Sequence, residues 1–159
     1  MHNRSIRLLA LVLGAVVMPC VTLWAADPIV GTWKLNLAKS KYNPGNPPMA
    51  ETRTYEMVKE GLKATVATIG PDGKSNTAEF PMNYDGRYYT MTGDPQFDKL
   101  SLTRVDDRTS EATLLHGEMV VGAARRTVSA DGKTMTITYK GRDGEGLLVE
   151  NVTVYDKQP

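Results

Sequence analysis

Cysteine, histidine and large aromatic residues are scarce in this chain of 159 residues. It has one cysteine, Cys20, and two histidines, His2 and His116. A lone thiol excludes an intramolecular disulfide and a thiolate metal site. The sequence also has no metal-ligand spacing, no Gly-x-Ser-x-Gly elbow and no phosphate loop. It therefore predicts no metal and no cofactor, and His116 is expected in a surface turn.

Long apolar runs are missing as well, apart from one at the N-terminus. Arg4 and Arg7 precede an apolar run at residues 8–17, and small residues follow at 25–26, which is the layout of a signal peptide. The run is too short to span a bilayer. We expect a cleaved signal peptide over residues 1–26, a periplasmic or secreted protein, and no stable membrane insertion.

Neither sign of charge is in excess. Without Arg4 and Arg7, the 19 basic residues fall to 17, against 18 acidic ones. This balance gives no electrostatic reason to bind nucleic acid. Residues 27–159 are enough for one hydrophobic core, so we expect a single domain whose partner is a small molecule; the sequence does not define an oligomeric state.

Helical periodicity is absent, and short runs of threonine, valine and tyrosine alternate with turn signals. Three prolines and a glycine in residues 38–50 predict an extended flap, because neither residue type sustains a helix. Consecutive antiparallel strands hide their edges best by closing, so the pattern predicts an all-β, up-and-down barrel, with a β-sandwich as the alternative. About eight to ten strands are expected, at roughly 33–37, 52–58, 62–69, 75–84, 87–92, 99–105, 109–115, 119–129, 133–140 and 147–155.

The turn signals also predict how neighbouring strands pair, because paired residues share a face of the sheet. Each predicted register places apolar side chains on one common inner face. The predicted pairs are Met82 with Tyr89, Ala64 with Phe80, Ala124 with Tyr139, Leu102 with Ala112, and Leu114 with Val120.

This register brings polar side chains together on the inner face. Arg104, Ser110 and Tyr139 fall in one predicted row, with Arg126 one step away. Two arginines beside a tyrosine hydroxyl can hold a carboxylate or a phosphate, since guanidinium supplies paired donors. Alternatively, the arginines lie at the rim and cover apolar surface with their stems. A second inner stripe adds two further candidate ligand contacts, Tyr84 and Tyr89.

Three short stretches resemble known barrel proteins. "GTWKL" at residues 31–35 resembles the start of lipocalins and fatty-acid-binding proteins, and "DGKTMTITY" and "VTVYDK" resemble the end of the latter. The chain is similar to exported bacterial lipocalin-like proteins that open with "GTWKLN" and "KSK". The resemblance implies a barrel closed at one end by Gly31 and Trp33. It does not carry over the fatty-acid carboxylate site, because Thr153 replaces the arginine expected two residues before Tyr155.

Three functions are compatible with these observations. The first is a periplasmic or secreted binding protein for a small apolar or amphipathic molecule that carries an anionic group. The second is an interaction or inhibitor module of the cell envelope that uses the proline-rich flap and the loops. The third is a small-barrel isomerase or lyase that uses Tyr139 and Arg126. We expect binding rather than catalysis and assign no catalytic residue.

Overall fold

The computed structural model describes residues 27–143 and 145–159. The predicted signal peptide lies outside the described residues. Ten strands alternate along the chain, and each lies close to its predicted position. No helix among the described residues is long and apolar enough to cross a membrane. The strands are β1 Gly31–Leu35, β2 Ala50–Val58, β3 Gly61–Ile69, β4 Ser75–Met82, β5 Asp85–Thr90, β6 Lys99–Arg104, β7 Thr109–His116, β8 Met119–Val128, β9 Thr134–Arg142 and β10 Leu148–Lys157.

All ten strands form one antiparallel sheet in the order β4-β3-β2-β1-β10-β9-β8-β7-β6-β5. Strands that follow one another along the chain pair side by side, and the first strand pairs with the last. The sheet therefore curls into a nearly closed barrel whose one gap in the ladder lies between β4 and β5. The predicted up-and-down barrel is confirmed, and the β-sandwich alternative is wrong.

Three of the predicted registers are confirmed, namely Ala64 with Phe80, Leu102 with Ala112, and Ala124 with Tyr139. The register between β7 and β8 was predicted wrongly, because Leu114 pairs with Gly122 rather than with Val120. A β-bulge after Leu114 and a tighter turn than predicted account for the shift. As a result, Ser110 lies opposite Arg126.

The predicted hairpin between β4 and β5 is also wrong. The one isolated bridge described here joins Glu79 of β4 to Thr92, two residues beyond the end of β5, and their amides donate to each other's carbonyl oxygens at 2.9 and 3.0 Å. Nearer the turn, side-chain hydrogen bonds take the place of backbone hydrogen bonds between the strands. The Tyr89 hydroxyl donates to Asp85 Oδ2 at 2.8 Å and accepts from Asn83 Nδ2 at 3.0 Å. These bonds hold the turn without pairing Met82 to Tyr89.

The closed end of the barrel is built around Trp33, which is fully buried. Its indole Nε1 donates to the Ile29 carbonyl oxygen at 2.7 Å, which folds the segment before β1 beneath the barrel. The Lys157 ammonium lies 5.0 Å from the centre of the indole. Gly31 has a φ of +125°, and a Cβ there would lie 2.9 Å from Lys157 Cε. Both residues therefore occupy the end at which the resemblance expects a plug.

The flap at residues 38–50 follows the sheet edge instead of hanging free. Its first two residues belong to a short 3-10 helix, Leu37–Lys39, where the prediction of extended chain is wrong. Beyond it the chain is extended, and Lys41 and Val152 exchange backbone hydrogen bonds of 2.7 and 2.8 Å. The flap thus continues the pairing of β1 with β10.

The loop at residues 91–98 closes against β4 at Gly93. A Cβ on Gly93, whose φ is +80°, would lie 2.0 Å from the Thr77 carbonyl oxygen, whereas Gly73, at φ +79°, has nothing within 4 Å. Substitution by alanine lowers the free energy of unfolding by about 1–2 kcal/mol at either position, because the backbone there is left-handed. We expect Gly93→Ala to lose a further ~1–3 kcal/mol from overpacking. Urea unfolding of both variants checks this, and equal losses would contradict the close approach.

Candidate functional site

A cavity of about 120 Å³ lies inside the barrel, between the closed end and the loop at residues 91–98. Most of its wall is apolar. Five side chains bring charge or a hydrogen-bonding hydroxyl to it: Arg53, Tyr55, Asp94, Ser110 and Arg126. An apolar cavity with a few polar groups is the usual form of a small-molecule site. Its apolar lining includes Phe80, Met91, Phe97, Leu100, Leu102 and Ile137.

Two of the sequence-predicted site residues, Ser110 and Arg126, line this cavity. In the observed register, Ser110 lies opposite Arg104 on one side and opposite Arg126 on the other. Ser110 is only 4% exposed, and its Oγ has no hydrogen-bond partner among the described residues. A buried hydroxyl without a partner is costly, so this position favours a ligand that can bond to it.

Arg104 and Tyr84 lie towards the closed end and do not line the cavity. Arg104 Nη2 donates to Asp27 Oδ2 at 2.5 Å, and its guanidinium lies 3.9 Å from the centre of the Tyr84 ring. The charge of Arg104 is therefore neutralised by Asp27. Burial raises the pKa of Tyr84 to about 12, although Arg126 and Arg104 act in the opposite direction.

Tyr89 and Tyr139, the other two predicted ligand contacts, do not line the cavity either. Tyr89 lies in β5, and its hydroxyl bonds to Asn83 and Asp85 at the turn between β4 and β5. The Tyr139 hydroxyl donates to the Arg142 carbonyl oxygen at 3.0 Å, and its ring centre lies 5.7 Å from that of Phe97. Burial raises the pKa of Tyr139. Tyr139 thus supports the open end of the barrel, above the cavity.

Arginines and tyrosines alternate across the barrel interior, and each arginine has its guanidinium near an aromatic ring. Such cation–π contacts contribute about 0.5–2 kcal/mol, more when desolvated. The guanidinium of Arg126 also donates to the Tyr84 hydroxyl at 3.1 Å, which links two of the pairs. The pairs are Arg53 with Tyr155 at 5.2 Å, Arg126 with Tyr55 at 5.3 Å, and Arg104 with Tyr84 at 3.9 Å.

Two of these three arginines, Arg53 and Arg104, have a carboxylate partner, whereas Arg126 between them has none among the described residues. Arg53 pairs with Glu51 at 2.6 Å, and Arg104 pairs with Asp27. Arg126 forms no ion pair with any described residue, although it is half-buried. The middle of the row therefore presents one unbalanced positive charge to the cavity.

Glu51, Arg53 and Tyr155 form a polar network in the barrel wall. Glu51 Oε1 accepts from Arg53 Nε at 2.6 Å and from the Tyr155 hydroxyl at 2.7 Å. Burial raises the pKa of Tyr155, and Glu51 adds to that rise. Burial alone would lower the pKa of Arg53, but Glu51 and the neighbouring tyrosines outweigh it and raise that pKa. The flap residue Tyr42 lies near this network, and burial raises its pKa to about 12.

Asp94 is the carboxylate that lines the cavity. Its Oδ1 accepts from the amides of Gln96 and Phe97 at 2.8 and 3.1 Å, which shapes the loop at residues 91–98. Burial raises the pKa of Asp94 more than these bonds and the attraction of Arg53 lower it. Asp94 is in ion-pair contact with no described cation, so its structural role is to fix the loop.

Sequence analysis missed Arg53 and Asp94 as cavity residues. Arg53 could have been found by extending the register of β3 across the turn at residues 59–60. It pairs with Val66, which lies two residues beyond Ala64 and therefore on the same inner face. Asp94 lies in a loop without strand alternation. Its only local signal is an aspartate followed by Pro95, which favours a turn.

No family model matches the chain, and no curated protein matches it significantly. Within the described residues, no group of three or more histidine, cysteine, aspartate or glutamate side chains could hold a metal ion. The geometry of the cavity is therefore the basis for the function proposed below.

Proposed function

We propose that this protein binds a small amphipathic molecule with an acidic group, whose apolar part lies inside the barrel. One observation carries the proposal: Arg126 and Ser110 lie opposite each other on neighbouring strands, and both lack a partner among the described residues. Among these residues, Arg126 has no carboxylate partner and the Ser110 hydroxyl has no hydrogen-bond partner. Both side chains line a cavity that is otherwise largely apolar. The lipocalin-like character of the sequence and the predicted export agree with such a role, and we propose a periplasmic or secreted location.

The chemistry of Arg126 suits an anion. A guanidinium carries five N–H donors in a planar fork, and Arg126 uses one of its nitrogens on Tyr84. A half-buried charge without a counter-ion is unfavourable, and a bound carboxylate would remove that cost while also accepting from Ser110 Oγ. The ligand would therefore complete a row of charges that the protein leaves unbalanced.

The two alternative functions gain no support from the structure. The predicted enzyme needs Tyr139 and Arg126 to act together, but the Tyr139 hydroxyl bonds to the Arg142 carbonyl oxygen and does not line the cavity. A filled, cavity-free barrel would favour the interaction module, but this barrel contains a cavity. We therefore retain the binding function.

Native mass spectrometry tests this proposal on the full chain, expressed with its N-terminal segment in a bacterium and purified without denaturation. We expect a reproducible small-molecule adduct that is lost in Arg126→Leu, because the anion no longer has its donor. Arg125→Leu is the matched control, since Arg125 is exposed on the same strand and pairs with Glu111. It should keep the adduct.

Circular dichroism establishes that each variant is folded. If Arg126→Leu does not fold, Arg126→Lys serves in its place, because it keeps the charge and loses the paired donors; a weaker adduct is then expected. The proposal would be contradicted if the wild-type protein carried no adduct. It would also be contradicted if the Arg126 variant carried as much adduct as the wild type.

A further inference from the structure

We infer that the ligand is a monocyclic monocarboxylate, of the size of benzoate, and not a long-chain acid. This inference rests on the proposed function and narrows it to a class of ligand. Three observations support it: the volume of the cavity, the side chains that fill the barrel below it, and the guanidinium of Arg126 on its wall, which has no ion-pair partner among the described residues.

The volume limits the ligand to about one ring. The cavity measures about 120 Å³, whereas an engineered apolar cavity of about 150 Å³ in another protein binds benzene. The second space beside Arg126, towards the closed end, measures about 10 Å³, which is close to the smallest volume that holds one water. The acid group therefore has no room to extend further down.

Side chains fill the interior below the cavity and cover part of its upper side. Below the cavity, Trp33, Met82 and Met135 are fully buried and pack in the same core. Above it, Phe97 lines the cavity and contacts the ring of Tyr139. A long acyl chain would have to displace these side chains, the loop at residues 91–98 or the seam between β4 and β5, or leave much of its length outside the cavity.

The position of the charge sets the orientation of the ligand. Ser110 and Arg126 line both the cavity and the small space below it, so they form the floor of the cavity. The carboxylate would lie on this floor, and the ring would lie among the apolar side chains above it. Phe80 and Met91 suit a ring, because aromatic and thioether groups both make favourable contacts with aromatic faces.

Isothermal titration calorimetry tests the inference with four probes: benzoate, benzamide, hexanoate and hexadecanoate. We expect benzoate to bind at least about tenfold more tightly than benzamide, which has the same ring without the charge. Benzoate should also bind more tightly than hexanoate, which has the same acid group without the ring. Hexadecanoate should not bind. Arg126→Leu should weaken benzoate binding at least about tenfold, and Arg125→Leu should leave it unchanged.

The outcomes separate this inference from the proposed function. Tighter binding of hexadecanoate than of benzoate would overturn the ring-sized class and leave the binding function in place. Equal binding of benzamide and benzoate would overturn the requirement for an acid. If no probe binds but the purified protein carries an adduct, only the inference fails. If no probe binds and no adduct is present, both fail.

Discussion

Replacing Trp33 by alanine is expected to lower the free energy of unfolding by about 3–5 kcal/mol. The indole is fully buried at the closed end of the barrel and donates to the Ile29 carbonyl oxygen. Alanine would leave a cavity there and an acceptor without its donor. Because a domain of this size is stable by only about 5–15 kcal/mol, the variant would be near its unfolding threshold. Urea unfolding followed by far-ultraviolet circular dichroism measures the loss.

Tyr88→Ala is the matched control for this substitution. Tyr88 is also an aromatic residue in a strand, but it is 52% exposed, so its loss should cost less than about 1 kcal/mol. Trp33→Phe should fall between the two, since it keeps an aromatic ring and loses the N–H. Similar losses for Trp33→Ala and Tyr88→Ala would show that the closed end does not depend on the indole.

Replacing Glu51 by glutamine is expected to lower the free energy of unfolding by roughly 3 kcal/mol. The substitution keeps the size of the side chain but removes the charge that Arg53 and the Tyr155 hydroxyl contact at 2.6 and 2.7 Å. The Glu51 side chain is only 12% exposed, so the positive charge on Arg53 would remain in a poorly hydrated place. Urea unfolding at neutral pH measures this effect.

Glu111→Gln provides the control, because it makes the same change in an ion pair at the surface. Glu111 pairs with Arg125 across neighbouring strands, and both side chains are about half exposed. Such a pair contributes about 0–1 kcal/mol. The double substitution Glu51→Gln with Arg53→Gln should recover part of the stability lost in the single variant. Equal effects at Glu51 and Glu111 would mean that water screens the network in the wall.

The number of strands and most of their pairing could be predicted, because turn residues and two-residue alternation are local signals. The registers at Ala64 with Phe80 and at Ala124 with Tyr139 follow directly from the turns between those strands. The bulge after Leu114 could not be predicted in the same way. A bulge depends on how a strand bends to follow the barrel, and that bend is set by strands far away in the sequence.

The site was only partly predictable for the same reason. The polar row was found, but the error at the bulge placed Ser110 opposite Ala124 when it lies opposite Arg126. Arg53 was missed because β2 was given no register: the flap before it gives no turn to read, and the register of β3 was not extended across the turn at residues 59–60. Whether an arginine is neutralised also depends on tertiary contacts, as the pair of Arg104 with Asp27 shows.

The barrel wall is discontinuous in two places, and a different kind of bond is missing in each. Between β1 and β10 the covalent chain is discontinuous, but hydrogen bonds join the strands, and the Gln158 amide reaches the Thr32 carbonyl oxygen at 2.8 Å. Between β4 and β5 the ladder is discontinuous, but the chain runs through. The barrel is therefore a split ring that can widen at one seam without breaking a row of hydrogen bonds. Heat, pressure or an oversized ligand would separate β4 from β5 before any other pair of strands.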